Sequence, residues 1–293
     1  MNASARPLRI GFIGLGIMGR SMAGHILAAG HDLHVYSRTR AKAEDLLQRG
    51  AHWCESPGEV AARSEVVITM VGLPSDVEQV YFEVRGILQS MRAGTLLVDM
   101  TTSSPALAAR IAEAARAKGC GALDAPVSGG DIGARDAKLS IMVGGAQRDF
   151  DAALPVLRLM GSNIVLQGGA GAGQHTKMCN QIVIASTIVG VAEGIAYARR
   201  AGLDARTVLQ SIGGGAASGF QLNVLGARMI EGDFAPGFFV EHFLKDLGIA
   251  LGEASRMGLQ LPGLELARSL YERLAARGGA RDGTQALLKL YAD

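Results

Sequence analysis

Residues 9–31 of the chain read RIGFIGLGIMGRSMAGHILAAGH, and this stretch decides how the first half folds. Its opening, Arg9–Ile13, is a short apolar run typical of a buried strand. The G-x-G-x-x-G sequence that follows opens a helix predicted to run to about Ala29. In this motif the first glycine makes a tight turn, the second lets a pyrophosphate approach the backbone, and the third lets helix and strand pack closely. The free N–H groups at the start of the helix would hold the anion, which predicts dinucleotide contacts at Gly14, Gly16, Ile17, Met18 and Gly19.

The motif by itself is weak evidence for dinucleotide binding, because 40 glycines in 293 residues would produce it by chance roughly 0.7 times in such a chain. Its position in the chain therefore has to support the interpretation. It occurs once, at a strand-to-helix junction near the N-terminus. Gly30-His31 closes the helix, and a second strand follows at the distance expected for a dinucleotide-binding unit. A glycine-rich turn without a ligand is the alternative interpretation, and the position of the motif favours the binding turn.

Short apolar runs alternate with amphipathic helical segments up to about Leu166, which predicts a parallel sheet covered by helices on both faces. After a glycine-rich join, Gly168–Gly173, the pattern is helical only and opens with a long helix that ends near Gly202. We therefore predict an α/β domain over residues 1–167 and an all-α domain over residues 168–293. The predicted strands are Arg9–Ile13, Leu33–Tyr36, Val66–Val71, Thr95–Asp99, Ala122–Asp124, Ser140–Val143 and Ile164–Leu166.

The composition narrows the possible partners. Lys+Arg at 29 against Asp+Glu at 27 leaves a net charge of +2 without a long run of one sign, so we expect no nucleic-acid partner. The cysteines, Cys54, Cys120 and Cys179, have no spacing suited to zinc or redox chemistry, and we expect no metal and a reduced, cytoplasmic setting. Only a short polar lead precedes Leu8, so we expect no signal peptide.

The most apolar long stretch, Met178–Ala198, approaches membrane-spanning length. It contains Asn180, Gln181 and Glu193, and such polar groups are costly in lipid. We therefore expect a buried helix of a soluble protein and no association with a membrane.

Four blocks resemble the β-hydroxyacid dehydrogenase family, in the family's order and spacing along essentially the whole chain. They are GFIGLGIMGRSMAGHILAAGH at residues 11–31, DAPVSGGDIGA at 124–134, GAGQHTKMCN at 171–180, and Lys245-Asp246-Leu247. This family includes 3-hydroxyisobutyrate dehydrogenase, tartronate semialdehyde reductase and the glyoxylate and succinic semialdehyde reductases. The resemblance implies an α/β Rossmann-type domain, an all-α domain on a long interdomain helix, an active site in the cleft between them, and a homodimer or homotetramer.

The resemblance also implies a role for particular residues. Lys177 would be the catalytic acid and base, with Asn180 orienting the oxygen of a small carboxylate substrate that carries a hydroxyl or aldehyde. The carboxylate would bind at Ser128, Gly129 and Gly130, and the nicotinamide cofactor would contact Leu73, Pro74, Thr102 and Lys245. Without the family, Ser128–Gly130 suits an ordinary turn better than a carboxylate site, and Lys177 suits a solvated surface lysine.

The neighbours of Lys177 and the lysine content of the chain help to decide between a catalytic and a surface lysine. Asn180 shares its helix face, whereas Cys179 lies roughly 200° around the helix and is expected to pack rather than react. His175 also points elsewhere. The chain has 23 arginines and only six lysines, and a buried lysine, unlike arginine, can release its proton near neutral pH.

The end of the second strand, Val35-Tyr36-Ser37-Arg38-Thr39, predicts the cofactor type. An Asp or Glu at this place holds the ribose 2′-hydroxyl of NAD and repels a 2′-phosphate. Ser37 removes that repulsion, and the planar fork of Arg38 suits the phosphate, so NADP(H) is expected in preference to NAD(H). The alternative is that Arg38 is merely solvated.

Three rival interpretations fit less well. Imine reductases share this architecture but lack the lysine, and a non-catalytic scaffold would be expected to have lost Lys177 or the Ser128–Gly130 loop. 6-Phosphogluconate dehydrogenase is longer and carries a histidine in the block of Lys177. Phe238, Phe239 and His242 precede Lys245 at a spacing more typical of core, and we assign them no role.

Overall fold

Every strand found in residues 6–291, which are the residues that the computed structural model describes, lies between Arg9 and Gly168. Each predicted strand is present, with ends that differ by a few residues. Two further strands were not predicted, because a run of two residues is too short to show a periodic pattern. The strands are β1 (Arg9–Ile13), β2 (Asp32–Tyr36), β3 (His52–Trp53), β4 (Val66–Thr69), β5 (Leu96–Asp99), β6 (Gly121–Asp124), β7 (Val127–Ser128), β8 (Leu139–Gly144) and β9 (Gly161–Gly168).

Within the described residues these strands form one sheet in the order β3-β2-β1-β4-β5-β6-β8-β7, with β9 paired to β8. All pairs from β3 to β6 are parallel, which confirms the Rossmann-type prediction. The prediction of a parallel sheet is wrong at the far edge, where β8 runs antiparallel to β6 and β7. Between β6 and β8 the chain forms β7 and a helix of six residues, Gly130–Arg135, instead of the longer crossover that a parallel return needs.

The helices cover both faces of the sheet and form the second half of the chain. Several begin at a side-chain cap, as at Ser56 and Asp204, whose oxygens accept from the backbone N–H groups of Glu59 and Thr207. Short 3-10 segments lie at Arg40–Ala43, Gly279–Arg281 and Thr284–Tyr291, and a π-helical segment lies at Gln221–Gly226. The α-helices are α1 (Ile17–Ala28), α2 (Glu44–Gln48), α3 (Pro57–Arg63), α4 (Pro74–Phe82), α5 (Ile87–Ser90), α6 (Pro105–Ala117), α7 (Gly130–Arg135), α8 (Gln147–Leu157), α9 (Ala172–Arg200), α10 (Ala205–Ile212), α11 (Ala227–Glu231), α12 (Val240–Arg256) and α13 (Pro262–Ala276).

Side chains of the central strands alternate between two separate cores, one on each face of the sheet. Phe12 of β1 packs with Met22 and Ile26 of α1, whereas the next residue, Ile13, packs on the opposite face with Tyr81 of α4. Because both faces are covered, β4 and β5 are buried along their whole length. The loops that follow these strands therefore start from fixed positions.

Helix α9 is the one helix of residues 6–291 that is long and apolar enough to cross a membrane by length and composition. A core helix of a soluble protein meets the same criteria, and Ala185, Ile188 and Ala192 pack in the core of the helical part. Val183 and Tyr197, at 65% and 75% exposure, lie on the outside. The prediction of a buried helix thus holds for one face of α9 only.

The chain divides into two compact units, the first ending at Lys177 and the second beginning at Met178. This division falls inside α9, later than the predicted join after residue 167. The reason is that the first turn of α9 is bonded to the sheet. Asp124, at the end of β6, accepts hydrogen bonds from the backbone N–H groups of Gly171 and Gln174, at 2.7 and 2.8 Å.

Candidate active site

Apart from Lys245, which lies in α12, the residues predicted to bind the cofactor follow the carboxyl ends of four strands. The glycine turn follows β1, Ser37 and Arg38 follow β2, Leu73 and Pro74 come after β4, and Thr102 comes after β5. These strands are neighbours in the order β2-β1-β4-β5. The strand order reverses between β1 and β4, which is where open α/β sheets bind their ligands. The fold therefore brings these predicted residues to one edge of the sheet.

Two glycines of the turn are required by the fold itself. Gly14 has a φ of +99°, and a Cβ there would lie 2.1 Å from the carbonyl oxygen of Met70. The N–H of Gly14 also donates to Tyr36 O at 2.9 Å, which fixes the turn beside β2. A Cβ at Gly19 would lie 2.0 Å from Gly14 O. The segment after β4 thus leaves no room for a Cβ at Gly14, and the close packing of α1 on the turn leaves none at Gly19.

Gly16 has a different reason to be glycine. Apart from its two neighbours in the chain, no heavy atom of the described residues lies within 4 Å of the place where its Cβ would be. It is the N-cap of α1, with an ordinary φ of −71° and no side-chain hydrogen bond to the helix start. The first N–H groups of a helix lack intrahelical acceptors, so this open position beside them fits the approach of a pyrophosphate. The next residue, Ile17, is 62% exposed, whereas Met18 packs against the core.

Arg38 makes an ion pair at this edge. Its Nη1 lies 3.0 Å from Oδ1 of Asp76, while the Arg38 side chain remains 77% exposed. The other oxygen of Asp76 accepts a hydrogen bond from Leu73 N at 3.1 Å, which fixes the carboxylate at the start of α4. A guanidinium carries five N–H donors, so the contact with Asp76 is compatible with binding of a second anion.

Lys177 is buried, with 6% of its surface exposed. Its Nζ donates a hydrogen bond to the carbonyl oxygen of Val127 at 2.9 Å. Burying an ammonium is costly unless hydrogen bonds compensate, so this position is far from that of a solvated lysine. The interpretation of Lys177 as a surface residue is therefore wrong.

The predicted substrate loop begins one residue after the acceptor of this bond. Ser128 is half-buried at the end of β7, opposite Ser140 of β8. Gly129 and Gly130 follow with φ values of +130° and +63°, which favour glycine. The contact between Lys177 and Val127 thus brings the predicted proton donor and the predicted carboxylate-binding loop together.

In the helical unit, a chain of polar side chains joins α9 to α12. Asn180 Nδ2 donates to Gln181 Oε1 at 2.7 Å, and Gln181 Nε2 donates to Asp246 Oδ2 at 2.6 Å. Lys245 Nζ lies 2.9 Å from Asp246 Oδ1 and forms an ion pair with it. The pKa of nearby His242 is lowered by burial and then by the charge of Lys245. Asn180 and Lys245 are therefore linked through two buried residues.

Gln181 and Gln174 are candidate functional residues that the sequence analysis did not assign. Gln181 is 2% exposed and Gln174 is fully buried. Gln174 accepts from Ser103 N at 2.9 Å and donates from Nε2 to Thr101 O at 2.7 Å. The available signal was a polar side chain inside an apolar helix, because buried amides need partners.

Two buried carboxyl groups lie on neighbouring strands behind the site. Burial raises the pKa of Asp99 to about 6, although the hydrogen bonds that Asp99 accepts from Thr69 and Thr101 lower it in part. Burial likewise raises the pKa of Asp124 to about 6, although the hydrogen bonds from the N–H groups of Gly171 and Gln174 lower it in part. Asp99 and Asp124 are register partners in the β5–β6 pair. Both groups hold loops of the site by accepting hydrogen bonds.

The cysteine next to the lysine is placed differently from the prediction. Cys179 is exposed, so the expectation that it packs is wrong. Helical spacing gave its angle from Lys177 correctly but did not show which side of α9 lies outside. Within residues 6–291, no three His, Cys, Asp or Glu side chains lie together in a way that could hold a metal ion.

Comparisons with known proteins agree with this architecture. A family model for the NAD binding domain of 6-phosphogluconate dehydrogenase matches residues 9–169. A second, for NAD-binding of NADP-dependent 3-hydroxyisobutyrate dehydrogenase, matches residues 171–291. Together they cover both units of the chain.

Individual relatives match along nearly the full length. The oxidoreductase YkwC of Bacillus subtilis is 56% identical over 282 residues, which are 96% of this chain and 98% of the relative. 2-Hydroxy-3-oxopropionate reductase of Escherichia coli is 41% identical over 282 residues, 96% of each chain. The structure of Mycobacterium tuberculosis 3-hydroxyisobutyrate dehydrogenase with L-serine has a TM-score of 0.91 at 31% identity, covering 98% of this chain and 100% of that one.

The Rossmann-type sheet, its glycine turn and these matches define an NAD(P)-dependent oxidoreductase that acts on CH–OH groups. The chain belongs to the β-hydroxyacid dehydrogenase family. The family, fold and enzyme class predicted from the sequence are confirmed.

Proposed function

We propose that this enzyme transfers a hydride between NADP(H) and a short acid that carries a hydroxyl or aldehyde near its carboxylate. The observation that carries the proposal is the 2.9 Å bond from Lys177 Nζ to Val127 O. It holds a buried ammonium next to Ser128, where a hydroxyl and two glycine N–H groups follow one another. A proton donor so close to a carboxylate-binding loop suits a small substrate whose carboxylate lies near its hydroxyl or aldehyde group.

The residues of the chain would divide the chemistry as follows. When bound, the nicotinamide cofactor supplies or accepts the hydride. Lys177 donates a proton to the carbonyl oxygen during reduction and removes the hydroxyl proton during oxidation. Its fixed charge also stabilises the alkoxide as it develops. Ser128, with the N–H groups of Gly129 and Gly130, holds the carboxylate, and Asn180 orients the reacting oxygen.

The names of two relatives support a short substrate. 2-Hydroxy-3-oxopropionate, named for the Escherichia coli reductase, and L-serine, named with the Mycobacterium tuberculosis dehydrogenase, are both three-carbon carboxylates with oxygen on the third carbon. An acid of this length places its carboxylate and its reacting carbon close together. Such a substrate suits a site in which Lys177 bonds Val127 and the predicted carboxylate-binding loop begins at the next residue, Ser128.

The preference for NADP(H) is supported by the end of β2. Ser37 stands where a carboxylate would repel the 2′-phosphate, and Arg38 next to it is exposed to solvent. Asp76 holds the guanidinium at the edge of the sheet where the glycine turn lies. Arg38 can then add the phosphate as a further partner.

The proposal is tested by following NADPH consumption with glyoxylate, succinic semialdehyde, methylmalonate semialdehyde and tartronate semialdehyde. Each acid is compared with its methyl ester, which keeps the aldehyde and removes the charge. We expect turnover of at least one acid and poor turnover of its ester, because the ester cannot use the charge-assisted bonds at Ser128–Gly130. Comparable kcat/KM for acid and ester would contradict the carboxylate site.

Substitutions of Lys177 test the proton transfer separately. Lys177→Ala should lower kcat by roughly 10²- to 10⁴-fold with little change in cofactor affinity. Lys177→Arg should not restore the rate, because a guanidinium does not release its proton. A near-normal rate in Lys177→Arg would show that the residue acts only as a fixed charge.

A further inference from the structure

Gln174 joins two segments of the α/β unit that are far apart in sequence. Its Oε1 accepts a hydrogen bond from Ser103 N at 2.9 Å, and its Nε2 donates to Thr101 O at 2.7 Å. Gln174 has no exposed surface, and Thr101 and Ser103 are each 1% exposed. One side-chain amide therefore clamps the backbone on both sides of Thr102.

The two joined segments carry the two halves of the proposed reaction. Thr102 lies in the loop after β5, where the nicotinamide ribose is predicted to bind. Lys177, the predicted proton donor, lies three residues after Gln174 on α9, so the two side chains are on the same face of the helix. The amide of Gln174 thus connects the loop predicted to bind the nicotinamide ribose with the helix that carries the predicted proton donor.

The start of α9 does not need Gln174 to be held in place. Asp124 already accepts from the backbone N–H groups of Gly171 and Gln174, at 2.7 and 2.8 Å. Thr101 also uses its own side chain, whose Oγ1 accepts from Val71 N at 3.0 Å. What the Gln174 side chain adds is the relative position of the loop and the helix.

We propose that Gln174 is a positioning residue that sets the nicotinamide loop, residues 101–103, at a fixed distance from Lys177. This inference rests on the proposed function. Hydride and proton transfer occur on neighbouring atoms of the substrate, so both need the same alignment. A displacement of about 1 Å between reacting groups can cost on the order of 100-fold in rate.

The first test replaces Gln174 by Met, which keeps the length of the side chain and removes both hydrogen bonds. Gln285→Met is the matched control, because Gln285 is also a buried amide and bonds two backbone carbonyls, Asp233 O and Ala235 O, at 3.0 Å each. We expect Gln174→Met to lower kcat by roughly 10- to 100-fold, with a larger deuterium isotope effect from 4-deuterated NADPH and a much smaller change in NADP⁺ affinity. Gln285→Met should lose thermal stability but keep the wild-type kcat and isotope effect.

The second test is Gln174→Glu, which makes the role depend on pH. When protonated, the introduced carboxyl has one donor and one acceptor, so it can bond Thr101 O and Ser103 N as the amide does. When ionised, it cannot donate and repels Thr101 O. We therefore expect kcat, taken relative to the wild type at each pH, to recover as the pH falls. No such recovery should occur in Gln174→Met.

Hydrogen exchange in the wild-type protein gives a reading that does not depend on turnover. NADP⁺ should slow exchange of the Ser103 amide and of the first amides of α9 together, and independent changes would overturn the coupling. An active wild type whose Gln174→Met variant keeps its kcat and isotope effect would overturn the positioning role alone. A wild type inactive on every acid would overturn the proposed function, and hydrogen exchange would still decide the coupling.

Discussion

Replacing Arg38 by Ala tests the cofactor preference most directly. The proposed charge-assisted contact of Arg38 with a 2′-phosphate would be worth about 1.5 to 3 kcal/mol in favourable geometry. The guanidinium is 77% exposed and is shared with Asp76, and an exposed ion pair of that kind is worth about 0.2 to 1 kcal/mol. The net loss is then about 0.5 to 2.8 kcal/mol, or roughly 2- to 110-fold in the Kd of NADPH. NADH lacks the phosphate, so its Kd should hardly change.

Titration calorimetry with NADPH and NADH at low and high salt measures this directly, because salt screens an exposed pair. Asp76→Asn is the matched variant, since its amide oxygen still accepts from Leu73 N while the competing charge disappears. NADPH should then bind more tightly by a few-fold, and NADH should not. The double change Ser37→Asp with Arg38→Ala should reverse the preference. Equal weakening of NADPH and NADH by Arg38→Ala, or equal use of both cofactors by the wild type at low salt, would refute the assignment.

Other predictions follow from the glycine turn and from the buried carboxyl groups. Gly16→Ala should leave the free energy of unfolding within about 0.5 kcal/mol and weaken NADPH roughly tenfold or more, measured by urea unfolding and calorimetry; unchanged affinity would contradict a close pyrophosphate. Gly14→Ala should destabilise the fold by on the order of 3 kcal/mol, because its φ is +99° and its Cβ would lie 2.1 Å from Met70 O; a stable variant would disprove that clash. Burial raises the pKa of Asp99 to about 6, so the wild type should lose up to about 3 kcal/mol of stability from this group as pH rises from about 4 to about 6. Asp99→Asn should lack that loss, and parallel stability curves for the two proteins over pH 4–8 would argue against it.

The parts of the site that lie within one short motif could be predicted from the sequence. Gly14 and Gly19 were identified by the turn they must form, and the structure places another atom where their Cβ would be. Strands β1, β4 and β5 were predicted because strands covered on both faces are continuous apolar runs. In each case the physical constraint acts on neighbouring residues and therefore leaves a local pattern.

The contacts between distant segments could not be predicted in this way. Gln174 and Ser103 are 71 residues apart, and Arg38 and Asp76 are 38 apart. No periodicity relates such pairs, since their proximity depends on how the strands are ordered. The strand β8 was predicted, but its antiparallel direction was not, because strand direction depends on the connection to the preceding strand rather than on the strand's own residues.

The exposed face of α9 was missed for a different reason. An apolar residue at helical spacing is compatible with either side of a helix that is apolar nearly all round. Val183 and Tyr197 lie outside, whereas Ile188 lies in the core. Only polar residues within such a helix carry directional information, because each must face a partner.

The predicted proton donor, Lys177, is positioned by the α/β unit at three points. Asp124 of β6 holds the first N–H groups of α9, Gln174 bonds the loop after β5, and Lys177 bonds Val127 of β7. These three strand ends also supply the predicted nicotinamide loop and the predicted carboxylate loop. The groups predicted to align for hydride and proton transfer are therefore attached to one sheet, which is the arrangement that preorganised catalysis requires.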